Sequence, residues 1–197
     1  MKRVFDFLSS LIAIILFSPI LLILAIIIKY TSPGPVLFKQ RRMGLNNEEF
    51  VIYKFRTMRI DTPNVATHLL KNPDQYITPI GKVMRKTSLD ELPQLFNILK
   101  GEMSIVGPRP ALYNQHDLIE MRTNANVHTV RPGLTGLAQV SGRDELELDK
   151  KVYFDQQYLE KQSFFYDLRL IFLTVTKVFK SEGVVEGATT TNSKETV

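Results

Sequence analysis

The feature that most constrains this chain is an apolar run near its N-terminus, "LSSLIAIILFSPILLILAIII" at residues 8–28. As a straight helix the run would extend about 30 Å, enough to cross the hydrocarbon core of a bilayer. Ser18 and Pro19 stand in its middle. Because proline lacks an N–H and clashes with the carbonyl four residues earlier, a bend or break is expected there. Each half, about ten residues long, is too short to cross a bilayer alone.

The flanks of the run indicate how it meets the membrane. Basic residues stand on both sides: Lys2 and Arg3 before it, and Lys29, Lys39, Arg41 and Arg42 after it. Positive residues prefer the cytoplasmic side, so a re-entrant hairpin over residues 1–30 satisfies both flanks, whereas a crossing helix satisfies only one. The hairpin is therefore favoured over a crossing helix. A secretory signal peptide fits least, since the run is longer than usual and no small-residue cleavage site follows it.

The rest of the 197-residue chain has the length and composition of one domain, which we place at residues 31–183. The segments "VLFKQRRMG" and "EEFVIYKF" are rich in β-branched and aromatic residues and are separated by turn residues, which predicts a β-hairpin. The polar residues 184–197 predict a flexible tail. The expected fold is a mostly helical α/β protein with a re-entrant helix-break-helix, one small hairpin and amphipathic helices at the membrane interface.

Three helices are expected in this domain. In "SLDELPQLFNILKGEMS" the residues Leu92, Leu95, Phe96 and Leu99 recur at helical spacing, and Lys100-Gly101 supplies a stop. The segments "KKVYFDQQYLEKQ" and "FFYDLRLIFLTVTKVFKSE" predict two more helices. The apolar side of the last one, formed by Leu168, Ile171, Phe172, Val175, Val178 and Phe179, fits equally a helix that faces the core and one that lies in the membrane interface.

Two adjacent carboxylates, Asp90 and Glu91, stand at the expected start of the first of these helices. Ser88 and Glu91 have the spacing of a capping box. With Ser88 as the cap, however, Pro93 would clash inside the helix, and a cap at Asp90 removes that clash. In either case the partial positive charge of the helix end would stabilise an ionised aspartate able to bind Mg²⁺ or to attack phosphorus.

Cationic side chains in Gly/Pro-rich loops add weight to this pair. The candidates for binding phosphate are Lys54 and Arg56 in "YKFRTM", Arg109 in "GPRP", Arg131 in "VRPG" and Arg143 in "SGR". Each one alone fits an ordinary surface charge, and together they predict a site for a diphosphate with Mg²⁺. The net charge of +5 suits a phosphate-bearing partner, but it is modest and no nucleic-acid motif accompanies it. Cysteine is absent, and His68, His116 and His128 lack metal-ligand spacing.

Taken in order, the broken apolar run, "FVIYKFRTM", "SLDELPQLFNILKGEMSIVGPRP" and "VRPGLTGLAQVSGR" resemble the small monotopic phosphoglycosyl transferases of the bacterial sugar transferase family. The resemblance covers residues 2–183. It implies transfer of a sugar phosphate from a nucleoside diphosphate sugar, expected to be a UDP-sugar, to polyprenol phosphate. The products would be polyprenyl diphosphate sugar and a nucleoside monophosphate, in the first membrane step of a bacterial glycan pathway.

The resemblance also assigns roles and a place in the cell. It makes Asp90 the nucleophile that carries a phospho-aspartyl sugar, requires Mg²⁺ at Asp90 and Glu91, and leaves Glu91 as a metal ligand or as a base. It implies that the catalytic domain lies on the cytoplasmic face of the bacterial inner membrane, with the phospholipid bilayer as a partner and a homodimer to be tested. The alternative is a non-catalytic membrane-bound module that binds anionic lipid or nucleotide through its basic loops.

Overall fold

A computed structural model describes residues 1–63, 72–142 and 146–180. In this part of the chain seven helices and four strands carry the fold. They are α1 (Lys2–Thr31), β1 (Leu37–Met43), β2 (Glu49–Phe55), α2 (Pro79–Thr87), α3 (Gln94–Lys100), β3 (Ser104–Val106), α4 (His116–Asn124), β4 (Gly133–Thr135), α5 (Leu137–Ser141), α6 (Leu148–Lys161) and α7 (Phe164–Lys180). The mostly helical class and the small hairpin are confirmed. The expected tail, 184–197, lies outside the described residues.

The apolar run forms one helix, α1, which continues through Pro19. Of the bend or break expected at Ser18 and Pro19, the break is therefore not observed. The reason is local: Pro19 cannot donate to the carbonyl of Ile15, and the Ser18 hydroxyl donates to that same carbonyl at 2.8 Å instead. The serine thus replaces the hydrogen bond that the proline removes.

The domain holds α1 at both of its ends. Near the N-terminus, Asp6 is buried and accepts hydrogen bonds from the Ser104 hydroxyl at 2.8 Å and the Ile105 amide at 3.1 Å. Near the C-terminus, Leu24 and Ile28 are buried against other parts of the domain. Between Leu11 and Ile23 no residue of α1 is buried. The middle of the helix, with Ser18 and Pro19, is therefore its most exposed part.

The hairpin of β1 and β2 is antiparallel and pairs Leu37 with Phe55 at one end and Met43 with Glu49 at the other. Because side chains alternate across a strand, Ile52 and Lys54 share one face of β2. Ile52 is buried there in a cluster with Leu95 and Ile98 of α3. The apolar side of β2 thus fixes α3 against the strand that carries Lys54.

A second pairing, between β3 and β4, was not expected from the sequence, which predicted loops there. The two strands are parallel and three residues long, and they pair Ser104 with Gly133 and Val106 with Thr135. A side chain at Gly133 would collide with the backbone of Gly107, so this close approach requires glycine. Gly107 is the first residue of the "GPRP" loop that carries Arg109.

Of the two alternatives for the apolar side of the last helix, the structure does not bear out the one in which this side faces the core. Leu170 of α7 is buried, whereas Leu168, Phe172 and Val175, which belong to the predicted apolar side, are exposed. Leu170 packs with Val106, Val140 and Tyr158. The helix therefore buries one apolar face in the core and leaves another one uncovered.

Candidate active site

The carboxylate pair lies in a single 3-10 turn, Leu89–Glu91, between α2 and α3. Ser88 does not form the expected capping box: it ends α2 in a left-handed conformation with φ 57°, and its side chain makes no cap hydrogen bond. The helix α3 begins only at Gln94, with Pro93 as its N-cap. Since proline is tolerated at the start of a helix and not in its interior, Pro93 moves the start beyond both carboxylates.

Glu91 is bound by two cations. The Nζ atom of Lys54 lies 2.7 Å from Glu91 Oε1, and the Nη2 atom of Arg109 lies 3.0 Å from the same oxygen. Burial acts to raise the pKa of Glu91, but the attraction and hydrogen bonds of Lys54 and Arg109 outweigh it and hold the pKa well below its usual range. Glu91 is therefore ionised at neutral pH and is a weak base.

Asp90, its neighbour, has the opposite environment. The residue is 9% exposed, and within the described residues its carboxylate takes part in no ion pair or hydrogen bond. Burial is the main cause that raises its pKa to about 6, with Glu91 adding to the rise and Lys54 and Arg109 opposing it. The two adjacent carboxylates thus differ in their partners and in the direction of their pKa shifts. Glu91 is held by two cations, whereas the oxygens of Asp90 remain available to a ligand.

Comparison with known proteins decides the family. The sequence model of the bacterial sugar transferase family matches residues 1–181. The chain belongs to this family.

The named relatives agree with that membership. The chain is 41% identical to the exopolysaccharide production protein ExoY of Rhizobium meliloti over 92% of this chain and 87% of that protein. It is 39% identical to a UDP-glucose:undecaprenyl-phosphate glucose-1-phosphate transferase of Escherichia coli, over 91% of this chain and 40% of that protein. A UDP-N-acetylgalactosamine-undecaprenyl-phosphate N-acetylgalactosaminephosphotransferase of Aeromonas hydrophila is 40% identical over 92% of this chain and 44% of that protein. The chain is thus an enzyme of the sugar transferase family, and the non-catalytic module is set aside.

Of the five predicted phosphate-binding residues, the structure brings two to the carboxylates of the transferase. Lys54 and Arg109 both contact Glu91, and the Arg109 side chain is 39% exposed, so it can also face a ligand. Arg56 is buried, and its guanidinium donates to the backbone carbonyls of Ser32 and Pro33. That geometry gives Arg56 a structural role, because it holds the turn after α1. It does not support Arg56 as a phosphate ligand.

The remaining two predicted residues do not join this site in the described structure. Arg131 donates from Nε to the carbonyl of Gly101 at 2.8 Å, beside the N-terminal part of α1, and no contact links it to Asp90 or Glu91. Arg143 lies outside the described residues. The phosphate-binding role of both stays a prediction.

Sequence reasoning missed three buried polar residues of the transferase that support these cations. Arg122 donates from Nη1 to the carbonyl of Arg109 at 2.7 Å, and its other nitrogens bind the buried Asp155. Asn97 bonds to the backbone of β2 next to Lys54. Hydropathy patterns could not reveal them, because a buried amide or ion pair looks like a surface residue in the sequence.

Proposed function

We propose that this chain transfers a sugar phosphate from a UDP-sugar to polyprenol phosphate through a covalent phospho-aspartyl sugar on Asp90. The observation that carries the proposal is the contrast between the two carboxylates: Asp90 has no partner within the described residues, while Glu91 is fixed by Lys54 and Arg109. Two of the relatives are named as transferases that act on UDP-sugars and undecaprenyl phosphate, which supports the substrate classes.

The reaction follows in two steps. A carboxylate oxygen of Asp90 attacks the phosphorus that bears the sugar, and the bond from that phosphorus to the nucleoside monophosphate breaks with its electron pair leaving on the nucleotide. An oxygen of the lipid phosphate then attacks the same phosphorus, and the bond to Asp90 breaks. The carboxylate is regenerated, and the product is a polyprenyl diphosphate sugar. Neither step requires a net proton transfer, which suits a site whose second carboxylate is a weak base.

The cations around Glu91 have a defined task in this scheme. Lys54 and Arg109 hold Glu91 ionised beside Asp90, and the exposed part of Arg109 offers donors to the donor diphosphate. The negative charge of Glu91 in turn keeps the two cations in place beside Asp90. Arg109 thereby bridges a fixed carboxylate and the transferring group.

The two carboxylates also fit the predicted Mg²⁺. The described residues contain no group of three side chains that could enclose a metal, but Mg²⁺ is commonly held by one or two carboxylates together with substrate phosphates and water. Asp90 and the second oxygen of Glu91 would hold it. Bound there, Mg²⁺ would offset the negative charge of the diphosphate.

We place α1 as a re-entrant helix on the cytoplasmic face of the bacterial inner membrane, and the docking of both helix ends on one domain supports the re-entrant part of this placement. Within the described residues α1 is the one helix long and apolar enough to cross a membrane. Both of its ends bind the same charged domain, through Asp6 at one end and through the turn held by Arg56 at the other. A helix whose two ends attach to one polar domain must return to the side from which it entered, and a bend at Pro19 would allow this.

The uncovered apolar surfaces of α1 and α7 would face this membrane together. Phe5 of α1 contacts Phe164 of α7, with ring centroids 5.3 Å apart. On α7 the exposed apolar residues follow helical spacing: Phe165, Leu168, Phe172 and Val175. Large apolar side chains exposed along two touching helices are typical of an interface with lipid. The site would then lie at the level of the acceptor phosphate.

The experiment that tests the proposal is a single-turnover assay without lipid. Enzyme given UDP-sugar and Mg²⁺ should release nucleoside monophosphate in an amount comparable to the enzyme and then stop. Mass spectrometry should find a sugar phosphate on the peptide that contains Asp90. Asp90→Asn should abolish both signals in a folded protein, because asparagine keeps the size of the side chain and loses the nucleophile.

Glu91→Gln is the matched control in the adjacent position. It keeps the shape but loses the charge that binds Lys54 and Arg109, so we expect a folded enzyme that forms the adduct about a hundredfold more slowly. If donor is never cleaved without lipid and no adduct can be trapped, the lipid phosphate attacks directly, and Asp90 is then a metal ligand.

A further inference from the structure

Asn97 on α3 is fully buried and bonds to the edge of β2 as a neighbouring strand would. Its Oδ1 accepts the Tyr53 amide at 3.1 Å, and its Nδ2 donates to the Val51 carbonyl at 2.7 Å. These two backbone groups lie on the edge of β2 opposite to β1, because backbone groups of alternate residues point to the same side of a strand. One amide side chain thus satisfies two groups that a third strand would otherwise pair.

The bonds made by Asn97 stand next to the active site in sequence and in space. Lys54 directly follows Tyr53 on β2, and Glu91 lies in the turn that leads into α3. The ion pair of Lys54 with Glu91 and the amide bonds of Asn97 therefore join the same two parts of the chain. Asn97 also donates to Glu102 Oε2 at 2.7 Å, which orients its amide.

The distance between the Lys54 ammonium group and Glu91 depends on the hydrogen bonds by which Asn97 joins α3 to β2. Lysine carries its charge on a flexible four-carbon side chain, which does not by itself fix the position of the ammonium group. If the backbone of β2 shifts along α3, the ammonium group of Lys54 can move away from Glu91. A buried amide with both its oxygen and its nitrogen bonded cannot shift without leaving polar groups unsatisfied. Asn97 therefore fixes the register between β2 and α3.

We propose that Asn97 is a positioning residue that holds Lys54 in place against Glu91 and thereby supports the transfer reaction. It touches neither donor nor acceptor and acts through Lys54 alone. This inference rests on the proposed function, since the reaction supplies the readout.

A double-mutant cycle between Asn97 and Lys54 tests it. Asn97→Asp keeps the shape but places an oxygen against the Val51 carbonyl. We expect it to slow the burst of nucleoside monophosphate by about tenfold or more, as Lys54→Gln does. Asn97→Asp added to Lys54→Gln should slow the burst no further than about twofold, because the side chain it positions is already gone. The KM for the UDP-sugar should change in the same way in both single variants.

Controls separate this role from a general loss of structure. Glu102→Gln retains an acceptor for the Asn97 amide and leaves β2 untouched, so its burst rate should stay near that of the wild type. Asn97→Ser removes the strand bonds without adding charge and serves if Asn97→Asp does not fold. In a folded variant, hydrogen exchange at the Tyr53 amide should speed up while the helical amides of α3 remain protected.

The outcomes are distinct. A wild-type enzyme that cleaves no UDP-sugar rejects the proposed function itself. The second outcome is that the wild type is active and Asn97→Asp slows the Lys54→Gln enzyme by as much as it slows the wild type. Asn97 would then not act through Lys54, and the inference would be overturned. If neither Asn97 variant folds, Asn97 is a folding residue and the positioning role is rejected.

Discussion

At the scale of residues, the transferase separates two adjacent carboxylates by their surroundings. Successive side chains of a 3-10 turn point about 120° apart. Glu91 therefore meets Lys54 and Arg109, while Asp90 enters a buried position without a partner among the described residues. The sequence pointed to this pair as the reactive site but gave the wrong local reason, because neither residue lies in the helix that follows. The different pKa values come from side chains that are distant in the sequence, and such pairings cannot be seen in a local motif.

The raised pKa of Asp90 predicts the pH dependence of donor cleavage. Asp90 reacts as a carboxylate, and its pKa of about 6 applies to enzyme without bound Mg²⁺. At limiting Mg²⁺, kcat/KM for the UDP-sugar should therefore rise with pH through about 6 and level off above it, and more Mg²⁺ should move the rise to lower pH because the ion stabilises the carboxylate. An aspartate with an ordinary pKa would level off about two pH units lower. Initial rates measured from acid to neutral pH check this. A profile at limiting Mg²⁺ that is already flat at pH 5 and above would contradict the buried environment of Asp90.

A second prediction at this scale concerns Arg109. Arg109→Lys keeps the charge but loses the planar fork that can bind Glu91 and a phosphate together, so kcat should fall by about tenfold to a hundredfold. Arg59→Lys is a matched control, since Arg59 is an exposed arginine paired with Asp61. Steady-state rates of the two variants give the comparison. Equal rates for both would reduce Arg109 to an ordinary surface charge.

At the scale of elements, the hairpin and the late helices followed from the sequence, and the buried face of α3 did not. The apolar pattern predicted a face that includes Phe96, yet the structure exposes Phe96 at 44% and buries Gln94 and Asn97. Hydropathy rewards an apolar face, whereas this helix also packs through amides that bond to neighbouring backbone. The β3–β4 pairing was missed for a related reason: each strand has three residues, too few to show a periodic pattern, and only their contact defines them.

The ion pair between α4 and α6 yields a prediction that separates stability from activity. Asp155→Ala leaves the charge of Arg122 buried and should lower the free energy of unfolding by about 3–5 kcal/mol. The double change Asp155→Leu with Arg122→Met should recover most of this loss, since apolar pairs can replace buried ion pairs. Denaturant unfolding in detergent measures both.

The recovered stability should not restore the activity. Arg122 also donates to the carbonyl of Arg109, and methionine cannot. The double variant is therefore expected to be stable and slow. Full activity in that variant would show that the position of Arg109 does not depend on Arg122.

At the scale of the whole molecule, the apolar helix α1 has two roles. It contacts the membrane, and it is also packed as a part of the domain. Besides Asp6, its N-terminal end is held by Lys2, which lies 2.5 Å from the buried Asp167, and by Arg3, which donates to the carbonyls that end α3. The basic flank that the sequence suggested as a topology signal thus also docks the helix. These contacts join residues about a hundred or more positions apart, and therefore no local pattern could have predicted them.

This arrangement predicts that both ends of α1 face the cytoplasm. The chain contains no cysteine, so single cysteines can be placed at will. One variant carries a cysteine inserted between Met1 and Lys2, which spares the ion pair of Lys2, and the other carries Lys39→Cys at an exposed position of β1.

An impermeant thiol reagent should label neither one in intact spheroplasts and both after lysis, and the lysed sample is the control for reactivity. A helix that crosses the membrane would leave one end outside, so labelling of one variant in intact spheroplasts would overturn the re-entrant placement. Because the same domain binds both ends, that result would also mean that the docking of α1 seen here is lost in the membrane.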